Sequence, residues 1–83
     1  MAILRKLVNH PETLILIYVY RSGVARYLTL HRFTSGRGAT YRAVRQLLEL
    51  RLICRVGPGL YRATDRGVAA ARLLILLMDV LAR

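Results

Sequence analysis

The sequence is poor in the residues that staple small proteins together or build active sites. Its 83 residues include one cysteine, no tryptophan, one phenylalanine and four acidic residues. The lone Cys54 excludes an intramolecular disulfide and a cysteine-based zinc site. The acids are scattered, and two of them, Glu12 and Asp65, fit the first turns of helices. We therefore expect a protein that is not an enzyme and that needs no cofactor and no metal.

Long hydrophobic runs are also missing. The two most apolar stretches are residues 14–20 and 68–82, and Arg72 interrupts the second. A helix that spans a bilayer needs about 20 apolar residues. Arg5 lies too close to Pro11 for the apolar segment of a signal peptide to follow. We expect an intracellular, cytoplasmic protein that is not embedded in a membrane.

Positive charge is what the chain has in excess. Lysine and arginine number 14, which gives a net charge of +10, and Lys6 is the only lysine. A charge of this size attracts polyanions. Arginine also pairs with phosphate and with guanine edges through two parallel hydrogen bonds. An arginine-rich surface typical of a thermophile or of a GC-rich genome is the alternative explanation.

The first half of the chain shows two helix signals. His10-Pro11-Glu12 predicts a helix with proline at its first position, which runs to about Arg21 and stops at Ser22-Gly23. Residues 2–9 form either a separate helical turn or an arm. Residues 24–33 are predicted as a second, short helix, and the glycine-containing segment 34–38 ends it.

The third predicted helix, about residues 36–52, is the clearest segment, with Ser35 as its expected N-cap. One face carries residues at helical spacing that are expected to pack inward, namely Thr40, Val44, Leu47 and Leu48. Another face, at positions i, i+3, i+4 and i+7, carries Gly38, Tyr41, Arg42 and Arg45. One side therefore packs against the core while the other offers guanidinium groups and a phenol.

A β-hairpin is predicted next. The alternating runs 53–56 and 60–63 flank Gly57-Pro58-Gly59, a strong turn signal. The alternation leaves Arg55 and Arg62 able to share one side of the hairpin. The order helix, short helix, helix, hairpin and long helix predicts a mainly α fold with a small β-hairpin, of class α+β. A short helix joined by a glycine turn to a longer helix is the helix-turn-helix unit, and the following hairpin is its wing.

The last helix, residues 65–83 with Thr64 or Asp65 as its cap, is apolar on more than one face. A helix of this kind must be buried, and a domain of this size has little other core to cover it. We expect a two-fold homodimer in which this helix packs on its mate and on the first helix, with residues 3–8 as possible additional contacts. The expected dimerisation residues are Leu73, Leu74, Leu77, Val80 and Leu81.

Three stretches resemble the winged-helix transcriptional regulators of the MarR, ArsR and PadR kind, especially small archaeal and archaeal-virus members. Residues 11–23 resemble the first helix of that family, residues 39–53 its recognition helix, and residues 61–67 its second wing strand and the start of the last helix. The resemblance implies a single domain, 1–83, with a winged-helix core over 11–64 and a dimerisation helix over 65–83.

The chain departs from the family's pattern at two points. The family usually has glycine where this chain has Arg51, so either Arg51 is left-handed or the helix ends differently. The wing is also short, with only three residues at its tip. Extensive insertion of the wing into a minor groove is therefore in doubt.

The resemblance implies sequence-specific binding to double-stranded DNA by a homodimer, in the cytoplasm of the cell or of a viral host. The recognition helix would lie in the major groove and the wing on the backbone, and the protein would repress by steric occlusion. A small-molecule effector is left open. The candidate DNA-binding residues are Arg37, Gly38, Tyr41, Arg42 and Arg45 on the third helix, Arg26 and Tyr27 on the second, and Arg55 and Arg62 on the wing.

Two other functions stay open. A non-specific architectural DNA-binding protein would use the same positive charge without base contacts. A winged-helix module that binds only other proteins would leave these arginines without a role in DNA affinity.

Overall fold

A computed structural model describes residues 2–83 of the chain. It is mainly helical, about 70%, with one small three-stranded antiparallel sheet, and so has the expected α+β composition. The elements in chain order are α1 Ala2–Val8, α2 Pro11–Ser22, β1 Ala25–Arg26, a 3-10 helix Tyr27–Phe33, α3 Arg37–Glu49, β2 Ile53–Gly57, β3 Leu60–Ala63 and α4 Asp65–Ala82. None of the helices within residues 2–83 has the length and hydropathy that a membrane crossing requires.

Helix α2 forms the centre of the core. It begins at Pro11 and ends before Gly23, whose positive φ of 78° is a backbone conformation that glycine adopts readily and that interrupts the helix. Its buried side chains pack with apolar residues of the 3-10 helix, α3, the sheet and α4. The resulting core cluster comprises Ile15, Leu16, Val19, Ala25, Leu30, Ala43, Val44, Leu47, Ile53, Tyr61 and Ala71. Residues 2–8, which the sequence left as a turn or an arm, form α1, which contacts α2 and α4.

The prediction of one helix over residues 24–33 is wrong. Residues 25 and 26 form strand β1, which pairs with β3 through the partners Ala25–Tyr61 and Arg26–Leu60. The amide of Tyr27 then donates a hydrogen bond to the carbonyl of Gly59 at 2.8 Å. The free edge of the hairpin thus provides hydrogen-bond partners for the backbone of residues 25–27, so this segment does not need a helix to satisfy its amide and carbonyl groups. Only residues 27–33 are helical, and they form a 3-10 helix.

Helix α3 is shorter than predicted and starts differently. Its N-cap is Gly36 rather than Ser35, and no side chain caps it. At its other end, Leu52 donates to the carbonyl of Leu47 and Arg51 to that of Leu48, both at 3.0 Å. These two bonds are the Schellman pattern, which requires a left-handed residue after the cap. Arg51 is that residue, with a φ of 59°.

Arg51 therefore occupies a conformation that costs a non-glycine residue about 1 kcal/mol. We expect Arg51→Gly to raise the free energy of unfolding by about this amount, measured by urea denaturation. Arg62→Gly, at an exposed and extended strand position, is the control and should lower stability instead. A loss of stability in Arg51→Gly would contradict the assigned conformation.

The hairpin is confirmed, but the placement of its two arginines on one side is wrong. Strands β2 and β3 are antiparallel, with Arg55 opposite Tyr61 and Cys54 opposite Arg62. Side chains directly opposite each other share a face, and successive residues alternate between faces. Arg55 therefore lies on the face of Tyr61, and Arg62 on the other face with Cys54.

Helix α4 is capped by Thr64 and joined closely to the end of α3. The Thr64 hydroxyl accepts from the amide of Gly67 at 3.0 Å and donates to the carbonyl of Arg51 at 2.6 Å. The Thr64 amide donates to the carbonyl of Leu52 at 3.1 Å. A Cβ placed on Gly67 would lie 1.8 Å from that same Leu52 oxygen, so only glycine allows this approach.

Candidate nucleic-acid interface

The two sides of α3 differ as the periodicity predicted. Thr40, Val44 and Leu47 are buried and Leu48 is half-buried, while Arg37, Gly38, Tyr41, Arg42 and Arg45 are exposed. We call these five exposed residues the α3 face. Tyr41 is 56% exposed, which makes its ring available on this surface. The α3 face thus brings three guanidinium groups and one phenol together on a single helix.

The start of α3 is anchored by a buried hydroxyl. Thr40 is fully buried, and its Oγ1 lies 2.7 Å from Nδ1 of His31 and 2.5 Å from Oγ1 of Thr34. The carbonyl of Gly36 is 3.2 Å from the same oxygen. Buried polar groups are stable only when they are hydrogen-bonded. This cluster therefore ties the first turn of α3 to the 3-10 helix and to the turn between them.

Arg45 is held in place on the α3 face by its neighbours. Its Nε donates to Oε1 of Glu49 at 3.1 Å, and its Nη1 donates to the hydroxyl of Tyr41 at 3.3 Å. The hydrogen bond to Glu49, followed by that to Tyr41, raises the pKa of Arg45 above its usual value. These two bonds orient the Arg45 side chain along the helix surface, and its guanidinium is charged as in any arginine. The single acid on this side of α3 is already paired.

Gly38 and Arg42 lie one turn apart at the exposed start of α3. A Cβ on Gly38 would meet only Nη1 of Arg42, at 3.4 Å. The missing side chain thus leaves the first turn open to an approaching surface. The amides of a first helical turn, together with the helix dipole, attract anions.

A cleft of about 630 Å³ separates α3 from the hairpin. Tyr41 and Arg45 line it from α3, and Arg55 and Tyr61 line it from the sheet, with Tyr27 between them. Nη2 of Arg55 donates to the hydroxyl of Tyr61 at 3.3 Å, and its guanidinium lies 5.8 Å from the centre of the Tyr61 ring. The cleft therefore carries two arginines, each held by a tyrosine hydroxyl, on its opposite walls.

Tyr61 is a residue of the site that the sequence did not indicate. Its ring is 4% exposed and belongs to the core, as expected for a strand tyrosine. Its hydroxyl nevertheless orients Arg55, and its ring lies 6.4 Å from that of Tyr27. Only the cross-strand register, which pairs Arg55 with Tyr61, could have indicated this contact. That register depends on the bulge between Arg55 and Gly57, which the sequence does not reveal.

The other predicted DNA-binding residues lie at different distances from the α3 face. Tyr27 is half-buried, with its ring against that of His31 at 5.2 Å. Arg26 is exposed on the edge strand β1 and borders a second cavity with Leu28 and Pro58 at the hairpin turn. Arg62 lies on the opposite face of the hairpin from Arg55. Arg26, which pairs with Leu60, lies on that same face, so the fold separates both Arg26 and Arg62 from the cleft.

The predicted dimerisation residues divide between the two sides of α4. Leu74 packs against the core of its own chain, and Leu77 and Leu81 are half-buried. Leu73 and Val80 are 69% and 50% exposed. Leu76, which was not among the predicted residues, is 58% exposed and lies between them.

Comparison of the chain with protein-family models, curated proteins and solved structures finds no match.

Proposed function

We propose that the chain is a sequence-specific regulator that binds double-stranded DNA as a homodimer and represses by steric occlusion in the cytoplasm. In this proposal α3 enters the major groove, and the hairpin lies along the phosphate backbone. Arg42 and Arg45 contact base edges, and Arg55 contacts phosphate. The chain itself carries out no reaction.

The order of elements supports a winged helix. Helix α2, the 3-10 helix and α3 follow the helix-turn-helix sequence, and β2 and β3 form the wing directly after α3. Strand β1 completes the sheet beside β3 and links the wing to the start of the 3-10 helix. An exposed helix face beside a hairpin supports the proposal, because helix-turn-helix proteins place their second helix in the major groove.

The observation that carries the proposal is the α3 face. Arg42 and Arg45 lie on the side of α3 opposite the buried residues, and Arg37 is exposed at the first residue of the helix, in a chain with a net charge of +10. Arginine makes the commonest specific base contact, a pair of hydrogen bonds to guanine O6 and N7. Arg55 across the cleft adds a positive charge where a backbone next to the major groove would run.

The exposed apolar residues of α4 support the homodimer. Leu73, Leu76 and Val80 are each at least 50% exposed in a single chain. Contiguous apolar surface of this kind marks protein–protein contacts in soluble proteins. A two-fold dimer would present two α3 helices to one duplex, which suits a near-palindromic site.

Selection of bound duplexes from a random pool tests the proposal. We expect the enriched sequences to share two inverted half-sites whose centres are about 10 base pairs apart, or a multiple of this. Titration of the selected duplex against a scrambled one, at several salt concentrations, should show a preference on the order of a thousandfold.

The other outcomes distinguish the alternatives. Tight, salt-sensitive binding without an enriched motif would replace the regulator with an architectural DNA-binding protein. Failure to retain any duplex at low salt would leave the protein-interaction module as the better hypothesis. An enriched motif without two-fold symmetry would keep specific binding but reject the homodimer.

A further inference from the structure

The exposed stripe of α4 has the spacing of a coiled-coil seam. Ala69, Leu73, Leu76 and Val80 are exposed and separated by four, three and four residues. Residues at alternating intervals of three and four line one face of a helix and meet a partner helix knob to hole. The pattern therefore describes a surface fitted to a second helix.

This seam is distinct from the face that packs on the protein's own core. Gly67 and Ala71 are buried, and Leu74 packs against the core cluster, all on the side of α4 that contacts α2. The seam residues lie on the opposite side of the helix, because they are displaced from the buried ones by about half a turn. Helix α4 is thus apolar on two sides, and its own chain covers one of them.

Two opposite charges flank the seam on the same edge. Arg72 directly precedes Leu73, and Asp79 directly precedes Val80, so they occupy equivalent positions two turns apart. Nε of Arg72 donates to the hydroxyl of Tyr20 at 3.2 Å. Oδ2 of Asp79 accepts from Nη2 of Arg83 at 2.8 Å. Each contact orients its side chain. The terminal nitrogens of Arg72 and Oδ1 of Asp79 take no part in these two bonds.

We propose that α4 pairs with α4 of a second copy in antiparallel orientation, with Arg72 of each chain facing Asp79 of the other. The inference rests on the homodimer proposed above and adds its orientation and register. The two-fold axis passes between Leu74 and Ile75. Leu73 then packs against Leu76 of the second copy, and the smaller Ala69 packs against Val80.

Charge complementarity favours this orientation. In a parallel pair in register, each Arg72 would lie level with its own mate and face an apolar position of the second helix. In the antiparallel pair both arginines meet carboxylates. Asp79 also lies in the last turn of α4, where the helix dipole disfavours a negative charge. Arg83 of the same chain offsets part of that cost, and a cation from the second copy offsets more of it.

A charge swap tests the inference. We expect Arg72→Asp and Asp79→Arg each to weaken self-association about tenfold or more at low salt, because each single change sets like charges against each other. The double variant, Arg72→Asp with Asp79→Arg, should recover an affinity within about threefold of the parent, since it reverses both pairs. Sedimentation equilibrium measures the dimer dissociation constant of all four proteins.

The matched control is Arg62→Asp, which changes the net charge as Arg72→Asp does but lies on the exposed face of the hairpin. We expect it to leave self-association unchanged. A double variant as weak as the single variants would overturn the antiparallel register.

A distance measurement separates this inference from the proposed function. Spin labels at Arg66→Cys, in a Cys54→Ser background, should be roughly 25 Å or more apart in an antiparallel dimer, because the helix rises 1.5 Å per residue. A parallel pair would bring them to about 10 Å. A dimer with the short distance overturns only the orientation. A chain that is monomeric at micromolar concentration overturns the homodimer itself, and the duplex selection still decides DNA binding.

Discussion

Gly67→Ala is expected to lower the free energy of unfolding by about 3 kcal/mol or more, or to prevent folding. The added methyl group would lie 1.8 Å from the carbonyl oxygen of Leu52, well inside contact distance. That oxygen cannot simply move away, because it accepts a hydrogen bond from the amide of Thr64 at 3.1 Å. The first turn of α4 would have to separate from the end of α3.

A second helical glycine provides the matched control. Gly38 is exposed in the first turn of α3, and a Cβ there would meet only Nη1 of Arg42, at 3.4 Å. Because alanine is the better helix former, Gly38→Ala should raise stability by up to about 1 kcal/mol. Both variants are compared by urea denaturation at one protein concentration, since dimer formation adds to apparent stability. Equal effects of the two substitutions would contradict the close contact at Gly67.

Removal of two guanidinium groups from the α3 face should have the largest effect on function. We expect the double variant Arg42→Ala with Arg45→Ala to bind the selected duplex about a hundredfold more weakly, because each group can pair with a guanine edge. The ratio of its affinities for the selected duplex and for scrambled DNA should also fall. The fold should persist, since the ion pair between Arg45 and Glu49 is exposed and exposed pairs add little stability. Titration followed by fluorescence anisotropy measures the affinities.

The control removes the same charge from another surface. Arg5 and Lys6 are exposed on α1, which contacts α2 and α4 rather than the hairpin. The double variant Arg5→Ala with Lys6→Ala should weaken binding only slightly and leave the preference for the selected duplex intact. Equal losses in the two double variants would mean that net charge, and not the α3 face, determines binding.

Local signals predicted much of the fold correctly. Proline at the first position and glycine after the last defined α2, and the turn at Gly57-Pro58-Gly59 defined the hairpin. The inward and outward faces of α3 followed from helical spacing alone. The left-handed Arg51 was one of two outcomes left open by the position where the family usually has glycine. These features depend on a few neighbouring residues, so periodicity and turn chemistry suffice to predict them.

Features that depend on distant contacts were missed. Ala25 and Arg26 form a strand only because the edge of β3 lies beside them, and no property of the segment itself requires this. Arg55 and Arg62 fall on opposite faces because of the cross-strand register. The need for glycine at position 67 comes from the Leu52 carbonyl, fifteen residues earlier in the chain. In each case the tertiary structure, and not local propensity, decides.

The junction at Thr64 has a mechanical consequence. Through its hydroxyl and its amide, Thr64 bonds the first turn of α4 to Arg51 and Leu52, the residues that follow α3, and Gly67 lies directly against the Leu52 carbonyl. A rotation of α4 would therefore also move α3, because these hydrogen bonds hold the two helices together. In a dimer paired along α4, the crossing angle of the two α4 helices would determine the distance between the two α3 helices. In the regulator proposed above, a change in that angle would alter the spacing of the two half-sites that the dimer binds.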